Sequence, residues 1–441
     1  MQKAAQRIVE KLRLNRHEAF FAGGWVRDFL LGRKPKDIDI VTSAAPEEVR
    51  RLFPGSTAVG AAFGVILVRS YGRTFEVTTF RSEGDYLDGR HPSSVTFVGP
   101  REDALRRDFT INGLFYDPIT KRVIDYVHGR ADLKKRIVRT IGPPEARFAE
   151  DKLRMMRAVR MACTLDFSVW PETLTAIQGH AGQVLEVSWE RIRDELLSIL
   201  ISPGRGRGLE LLRETGLLRH ILPEIDAMNG VPQPHEFHPE GDVFTHTRTA
   251  LDLLRMRSPT LVLGTLLHDV GKPPTFSVGD RIRFDGHVEA GARLSEQICR
   301  RLRLSNEVTA QVVDLVENHL RFMHVEEMRR STLRRFLSKP NFAEHLELHR
   351  VDCLSSHRNL ESYWFCKREL EQMRAEPPLT PRLITGQDLI DLGYQPGPLF
   401  AAILHAVEDQ QLDGILKTRE DALAFVRTHY PVGAVRPGDE Q

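Results

Sequence analysis

Cysteine is scarce: the 441 residues hold four, at positions 163, 299, 353 and 366, and none stands in CxxC spacing. That excludes a disulfide-stapled scaffold or a zinc ribbon and fits reduced thiols in the cytoplasm. No apolar run approaches the ~18 residues of a membrane-spanning helix, so no membrane partner is expected. The first twenty residues lack the apolar core and cleavage site of a signal peptide; Ile8, Val9 and Leu12 instead mark an amphipathic helix. A large excess of one charge is missing too. With a net charge of +2, any binding of a polyanion must rest on local clusters of arginine. What is present is ordinary for a globular protein, 41% hydrophobic and 28% charged residues. The length implies roughly three domains.

The most informative stretch is Phe20 to Thr42, FFAGGWVRDFLLGRKPKDIDIVT. Ala19 to Ala22 reads as a short apolar strand. Gly23-Gly24 turns it into a helix carrying Val26, Phe29 and Leu30, and Asp37-Ile-Asp39-Ile-Val alternates as a second strand. Two glycines at a strand-to-helix turn let backbone N–H groups approach an anion, and Arg27 adds a charge one turn later. On a strand, Asp37 and Asp39 share one face, an arrangement suited to Mg²⁺ held jointly with substrate phosphates. A phosphate cradle beside paired carboxylates is the equipment of metal-assisted nucleotidyl transfer. A lone GG turn or a lone DxD has a bland reading as a turn or a solvated strand edge; the ordered combination does not.

Farther on, Val65 to Phe80 reads as a hairpin turning at Tyr71-Gly72-Arg73, and Arg81 to Pro92 as a polar loop without periodicity. Arg106, Arg107 and Asp108 stand at the opening of an expected helix, with Asn112 one turn beyond. An arginine fork and two short polar side chains on one face suit a triphosphate and a ribose hydroxyl. Past Pro143-Pro144 the chain turns helical. Asp151, Arg154, Arg157 and Arg160 follow at steps of three along an expected helix, opposite Leu153, Met156 and Val159. Another helix spans Trp189 to Leu200. Pro203 to Gly208 reads as a loop that either touches a phosphate backbone or joins two helices.

From about residue 240 the chemistry changes. His246, the adjacent His268-Asp269, His287, His319 and Asp352 recur on successive expected helices. A single histidine on an apolar helix is usually a core residue; recurrence on converging helices favours a metal site.

Taken in order, these features resemble the nucleotidyltransferase family of bacterial tRNA CCA-adding enzymes and poly(A) polymerases, from Phe20 to about Tyr430. RRDFTING resembles the family's RRDxxxNA box, with Gly113 in place of alanine; AEDKLRMMR resembles its EDxxRxxR box, and WERIRDE its ERxxxE box. The resemblance implies an α+β protein: a nucleotidyltransferase head of mixed β-sheet with helices over residues 1–140, then an all-α remainder. That remainder divides into a neck over 141–230, an HD phosphohydrolase domain over 231–375, a tail over 376–432 and a disordered end over 433–441. It implies transfer of CMP and AMP from CTP and ATP to a tRNA 3′ end. Asp37 and Asp39 would be catalytic and hold Mg²⁺. Gly23, Gly24, Arg27, Arg107, Asp108 and Asn112 would hold triphosphate and ribose. Asp151 and Arg154 would read the base, with Arg157 and Arg160 as further nucleotide contacts. Glu76 is either the third acid seen in the superfamily or a solvated strand residue.

The order H…HD…H…H…D resembles the HD phosphohydrolase superfamily. It implies His246, His268, Asp269 and Asp352 as core metal ligands and His287 and His319 as those of members holding two ions, with a divalent transition metal. Phosphatase or 2′,3′-cyclic phosphodiesterase action accompanies this domain in relatives, and a degenerate structural domain is the alternative. In the head, Gly60-Ala-Ala-Phe63-Gly64 departs from the basic stretch of poly(A) polymerases. Addition of the terminal A alone stays open beside full CCA addition, and the sequence assigns no oligomeric state.

Overall fold

The strand Ala19–Ala22 (β1) is buried along its whole length, as its unbroken apolar sequence requires of a strand covered on both faces. Ala19 and Phe21 join Ile8, Val9 and Leu12 of the N-terminal helix Gln2–Leu14, whereas Phe20 and Ala22 join Phe80, Phe115 and Ile141 on the other side. The computed structural model describes residues 1–35, 37–59, 64–84, 94–236, 238–239, 241–375 and 382–431. The expected loop at 85–92, the segment 60–63 and the end at 433–441 lie outside the described residues.

Around β1 the head builds one seven-stranded sheet from β2 (Asp39–Thr42), β3 (Thr57–Ala58), β4 (Val65–Ser70), β5 (Arg73–Thr79), β6 (Leu114–Asp117) and β7 (Arg122–Asp125) in the order β3-β4-β5-β2-β1-β6-β7. All neighbours are antiparallel except β2 with β5. Ile40 pairs with Val77, so Asp39 and Glu76, one residue before each, stand at the same level and face. The hairpin at Tyr71-Gly72 forms as expected, with both residues at positive φ.

Several local expectations are corrected. The second strand begins at Asp39, and Asp37 lies in the exposed segment before it. Arg81–Glu83 is a strand paired with Val95–Phe97 and not the start of a loop. Arg106, Arg107 and Asp108 follow the helix Pro100–Leu105 and do not open one; a single 3₁₀ turn, Thr110–Asn112, comes next. Gly129–Lys135 is a further helix. Pro203–Gly208 is largely the buried start of the helix Arg205–Glu214. A Cβ on Gly204 would lie 2.3 Å from the Cys163 carbonyl oxygen, so this segment is a packed joint between helices.

The expected helix through Asp151 is interrupted. One helix, Pro144–Glu150, stops at Asp151, whose backbone is extended (φ −147°, ψ 106°), and the next runs Arg154–Leu165. The remainder of the described chain is almost wholly helical. Asp242, Ser258 and Ser305 cap three of its helices by accepting backbone N–H groups three residues on. The helix Pro259–Leu267 is buried all round, so the His268-Asp269 pair just past its end lies deep in the protein.

Candidate active site and candidate metal centre

A cavity of ≈ 460 Å³ opens where the head sheet meets the helix Arg154–Leu165. Gly23, Gly24, Arg27, Asp39, Arg107, Asp108 and Asn112 line it from the head, and Asp151, Arg154 and Arg157 from beyond it. Ten of the expected head and neck residues are therefore brought to one cavity. Asp37 and Arg160 are not among those lining it.

Pairing with Ala22 puts Asp39 beside the turn at Gly23. Gly23 has φ 65°, and a Cβ there would stand 3.3 Å from Arg107 Nη1 and 3.8 Å from Asp39 Oδ2. Its own N–H donates to the Leu114 carbonyl. The contribution of Gly23 is thus the missing side chain, which leaves the cavity floor open. Asp39 faces solvent at the cavity mouth but is enclosed on its inner side. That enclosure, with Glu76 and Asp37 close by, raises its carboxyl pKa, and Arg107 opposes the rise. Asp39 with acidic neighbours of this kind suits an oxygen-liking divalent cation.

Every arginine here is aimed by an acid or an amide. Arg27 donates to Asn112 Oδ1 at 2.7 Å and to Asp28 at 2.8 Å. Asp103, fully buried, accepts from both Arg106 (2.7 Å) and Arg107 (3.0 Å) and holds the fork in place. Asp103 was missed by the sequence reading, although its spacing of three and four before the two arginines was the available signal. Asp108 accepts from Asn112 (3.1 Å) and from Arg157 (2.5 Å), a bond across the head–helix junction. These bonds hold the Asp108 carboxyl below its usual range against the burial that would raise it.

At the helix break, Asp151 accepts from the Leu153 N–H at 3.0 Å and from Arg191 at 2.8 Å. Arg154 pairs with Glu150 and donates to the Arg147 carbonyl. Arg160 pairs with Glu195 at 2.5 Å. The helix Trp189–Ile201 therefore fixes Asp151 through Arg191 and Arg160 through Glu195.

The second cluster gathers all six expected ligands into two trios, His246–His268–Asp352 and Asp269–His287–His319, whose ligand atoms within each trio lie inside 4.8 Å of one another. His246 Nε2 stands 3.1 Å from Asp352 Oδ1 and 3.2 Å from His268 Nε2. Asp269 links the trios, 3.2 Å from His268 Nε2 and 3.9–4.0 Å from the Nε2 atoms of His319 and His287. Nδ1 of His268, His287 and His319 bonds the carbonyl three residues back (Thr265, Phe284 and Val316) at 2.7–2.9 Å. A carbonyl can only accept, so Nδ1 carries the proton and Nε2 presents a lone pair. Nε2 of His287 and His319 is buried and has no hydrogen-bond partner among the described residues. Converging lone pairs without donors fit a cation, and imidazole with carboxylate suits a transition metal. Burial first, and then His268, lower the His319 pKa to about 4; burial also lowers that of His287. Both therefore stay neutral, as ligands must be. Lys272, also missed, donates to Gln233 and pairs with Asp269, each at 2.7 Å.

Three family models match this chain: the Poly A polymerase head domain over residues 19–139, the probable RNA and SrmB- binding site of polymerase A over 166–229, and the HD domain over 243–352. A CCA-adding enzyme of Geobacillus stearothermophilus is 46% identical over 215 residues, covering 48% of this chain and 53% of the relative. One from Levilactobacillus brevis is 44% identical over 217 residues, covering 49% and 54%. The match thus spans about half the length of these curated relatives. Among solved structures, the Bacillus stearothermophilus CCA-adding enzyme in complex with CTP is 28% identical, with a TM-score of 0.73 over 97% of this chain and 96% of that one. The Thermotoga maritima CCA-adding enzyme complexed with tRNA shares the fold at 19% identity, with a TM-score of 0.60 over 96% of this chain and 94% of that one.

Proposed function

From a chain that belongs to the family of nucleotidyltransferases built on the poly A polymerase head, with an HD domain behind it, we propose a CCA-adding enzyme. It transfers CMP and AMP from CTP and ATP to a tRNA 3′ end, releasing pyrophosphate, without a nucleic-acid template. The observation that carries this reading is the single cavity in which Asp39 and the aimed arginines meet Asp151 and Arg154.

Arg27 and Arg107 bind the triphosphate, and Asn112 and Asp108 the ribose edge. Asp151 accepts from the exocyclic amine of C or A, while the Arg154 fork donates to ring acceptors. Arg157 is a further nucleotide contact, and Arg160, which does not line the cavity, steadies the same helix through its bond to Glu195. Asp37 and Asp39, with Glu76 as third acid, would hold Mg²⁺, which supplies charge stabilisation to the attacking and leaving oxygens. The four buried cysteines fit a reducing compartment, and we place the reaction in the cytoplasm.

The test is incorporation of labelled nucleotides, one at a time, into tRNA lacking its 3′ CCA. C and then A should be added in order. Addition of A alone, and only onto tRNA already ending in CC, would replace this reading by that of an A-adding enzyme.

A second reaction is proposed for the buried cluster: metal-dependent hydrolysis of phosphate esters at RNA ends, monoester or 2′,3′-cyclic. It is favoured by the two trios and by the partnerless Nε2 atoms of His287 and His319. The histidines hold neutral lone pairs toward the ions, Asp269 joins both trios, and Lys272 keeps Asp269 charged. The bound metal would supply a hydroxide nucleophile near neutral pH. Absence of both metal-dependent release of phosphate from 3′-phosphorylated RNA and metal-dependent opening of 2′,3′-cyclic RNA ends to monoesters would leave the cluster a structural relic.

A further inference from the structure

Three cavities lie in a chain across the head. The nucleotide cavity shares Asp39 with a second of ≈ 440 Å³, lined among others by Asp37, Glu76, Thr74 and Arg73. That second cavity shares Arg73 with a third of ≈ 540 Å³, whose walls include Lys3, Gln6, Arg7 and Tyr71. The third joins the face of the N-terminal helix to the tip of the β4–β5 hairpin, and the proposed transfer reaction assigns it no role so far.

Lys3, Arg7, Tyr71 and Arg73 are all exposed, and Tyr71 at the hairpin tip is 69% accessible. Neither Lys3 nor Arg73 has an ion-pair partner among the described residues, and Arg7 lies over the Tyr71 ring at 5.4 Å. Of the charged residues lining this cavity, Lys3, Arg7 and Arg73 outnumber Glu10 three to one, and the exposed Tyr71 ring lies among them. This surface has the make-up of single-stranded nucleic-acid sites, in which bases stack on aromatic rings and phosphates meet basic side chains.

Direction follows from the chemistry. In-line transfer to a nucleotide's α-phosphorus requires the attacking hydroxyl to approach opposite the leaving pyrophosphate. With the triphosphate among Arg27 and Arg107 on one side of Asp39, the acceptor hydroxyl comes from the other side, where Asp37 and Glu76 line the second cavity. Beyond Asp37 and Glu76 the second cavity continues to Arg73, which offers a path for the strand behind that hydroxyl.

We infer that the acceptor RNA 3′ end runs from Asp39 past Arg73 to the Lys3–Arg7–Tyr71 surface, with an unpaired base stacked on Tyr71 and phosphates on Lys3, Arg7 and Arg73. This rests on the proposed nucleotide addition. The β4–β5 hairpin and the first helix are then an RNA-positioning surface, separate from the base-reading residues.

The test compares the full-length protein with Tyr71→Asn, a residue that accepts the left-handed turn, and with the double variant Arg7→Ala/Arg73→Ala. Steady-state addition of CMP to tRNA lacking CCA is measured against both tRNA and CTP concentration, at several salt concentrations. Either variant should raise KM for tRNA by on the order of tenfold, with KM for CTP unchanged. The double variant should flatten the slope of log KM for tRNA against log salt by about 1.4, two contacts at about 0.7 each. An unchanged KM for tRNA in both variants, with the unaltered protein active, overturns the track and leaves the proposed function standing. If the unaltered protein adds no nucleotide to tRNA, both fall. An equal rise in KM for tRNA and CTP also overturns it, because that is the signature of a distorted head.

Discussion

The head cavity and the buried histidine cluster solve opposite problems with the same few residue types. In the head, cations must be offered to a passing polyanion, so each arginine is held at the cavity wall by an acid or amide behind it: Asp103 behind Arg106 and Arg107, Asn112 behind Arg27, Asp108 behind Arg157. In the cluster, lone pairs must be offered to a cation, so three of the four rings are held by a carbonyl acceptor behind their other nitrogen. The first site is open to solvent and rich in bonds that substrate must rearrange. The second is buried and leaves donorless nitrogens facing one another. One is arranged for turnover of large ligands, the other for retention of small ions.

The comparison breaks most sharply by crossing substitutions. Asp39→Ala should lower nucleotide addition by on the order of 10³-fold or more and leave metal-dependent phosphatase activity intact on the same preparation. Asp352→Asn should do the reverse, cutting phosphatase activity by about 10²-fold or more and lowering bound metal measured by elemental analysis. Loss of both activities in either variant would mean that the two sites are not independent. A smaller effect is expected at Asp103→Asn, which keeps the volume but removes the charge and one of the two oxygens that hold the arginines; KM for CTP should rise by on the order of tenfold. An unchanged KM would remove Asp103 from the argument.

The smallest effect is in pH. No histidine lines the nucleotide cavity among the described residues, whereas the helical half buries several. Burial lowers the pKa of His349, stacked on Phe322 at 4.3 Å, to about 4 from an ordinary 6.5. Its folded form is the neutral one, so this stability is complete above pH 6.5 and drains away as pH falls toward 4, by at most about 3 kcal/mol. His349→Phe should flatten the acid side of the thermal stability curve of metal-free protein. An unaltered curve would show that the ring titrates normally.

The sequence made the head strands legible because Ala19–Ala22 and the Val65–Thr79 hairpin obey period and turn chemistry locally. It made the six candidate ligands legible because their residue types recur in order. What it could not convey were departures from regularity. Asp151 sits amid a strong helical pattern, yet its side chain accepts the Leu153 N–H and the helix stops there. The RRD run looked like a helix start because an aspartate favours that end, whereas the two arginines belong to the end of the helix the chain had just left. Asp103 was hidden for a different reason: its partners are local, but its complete burial is set by the fold around it. The Pro203–Gly208 glycines looked like a flexible connection, and only the packing against Cys163 reveals a tight joint.

Three of the four histidines take their orientation from a carbonyl three residues back, within a single turn of chain. His246 alone does not: its Nδ1 meets the Ser355 hydroxyl at 3.3 Å, on the same helix that carries Asp352. The cluster is therefore part local and part tertiary. Three rings are oriented by contacts inside their own turns, whereas the fourth ring and the Asp352 carboxylate both depend on how the helix Phe342–Ser355 packs. A change that shifts that one helix disturbs a ring and a carboxylate of the same trio at once.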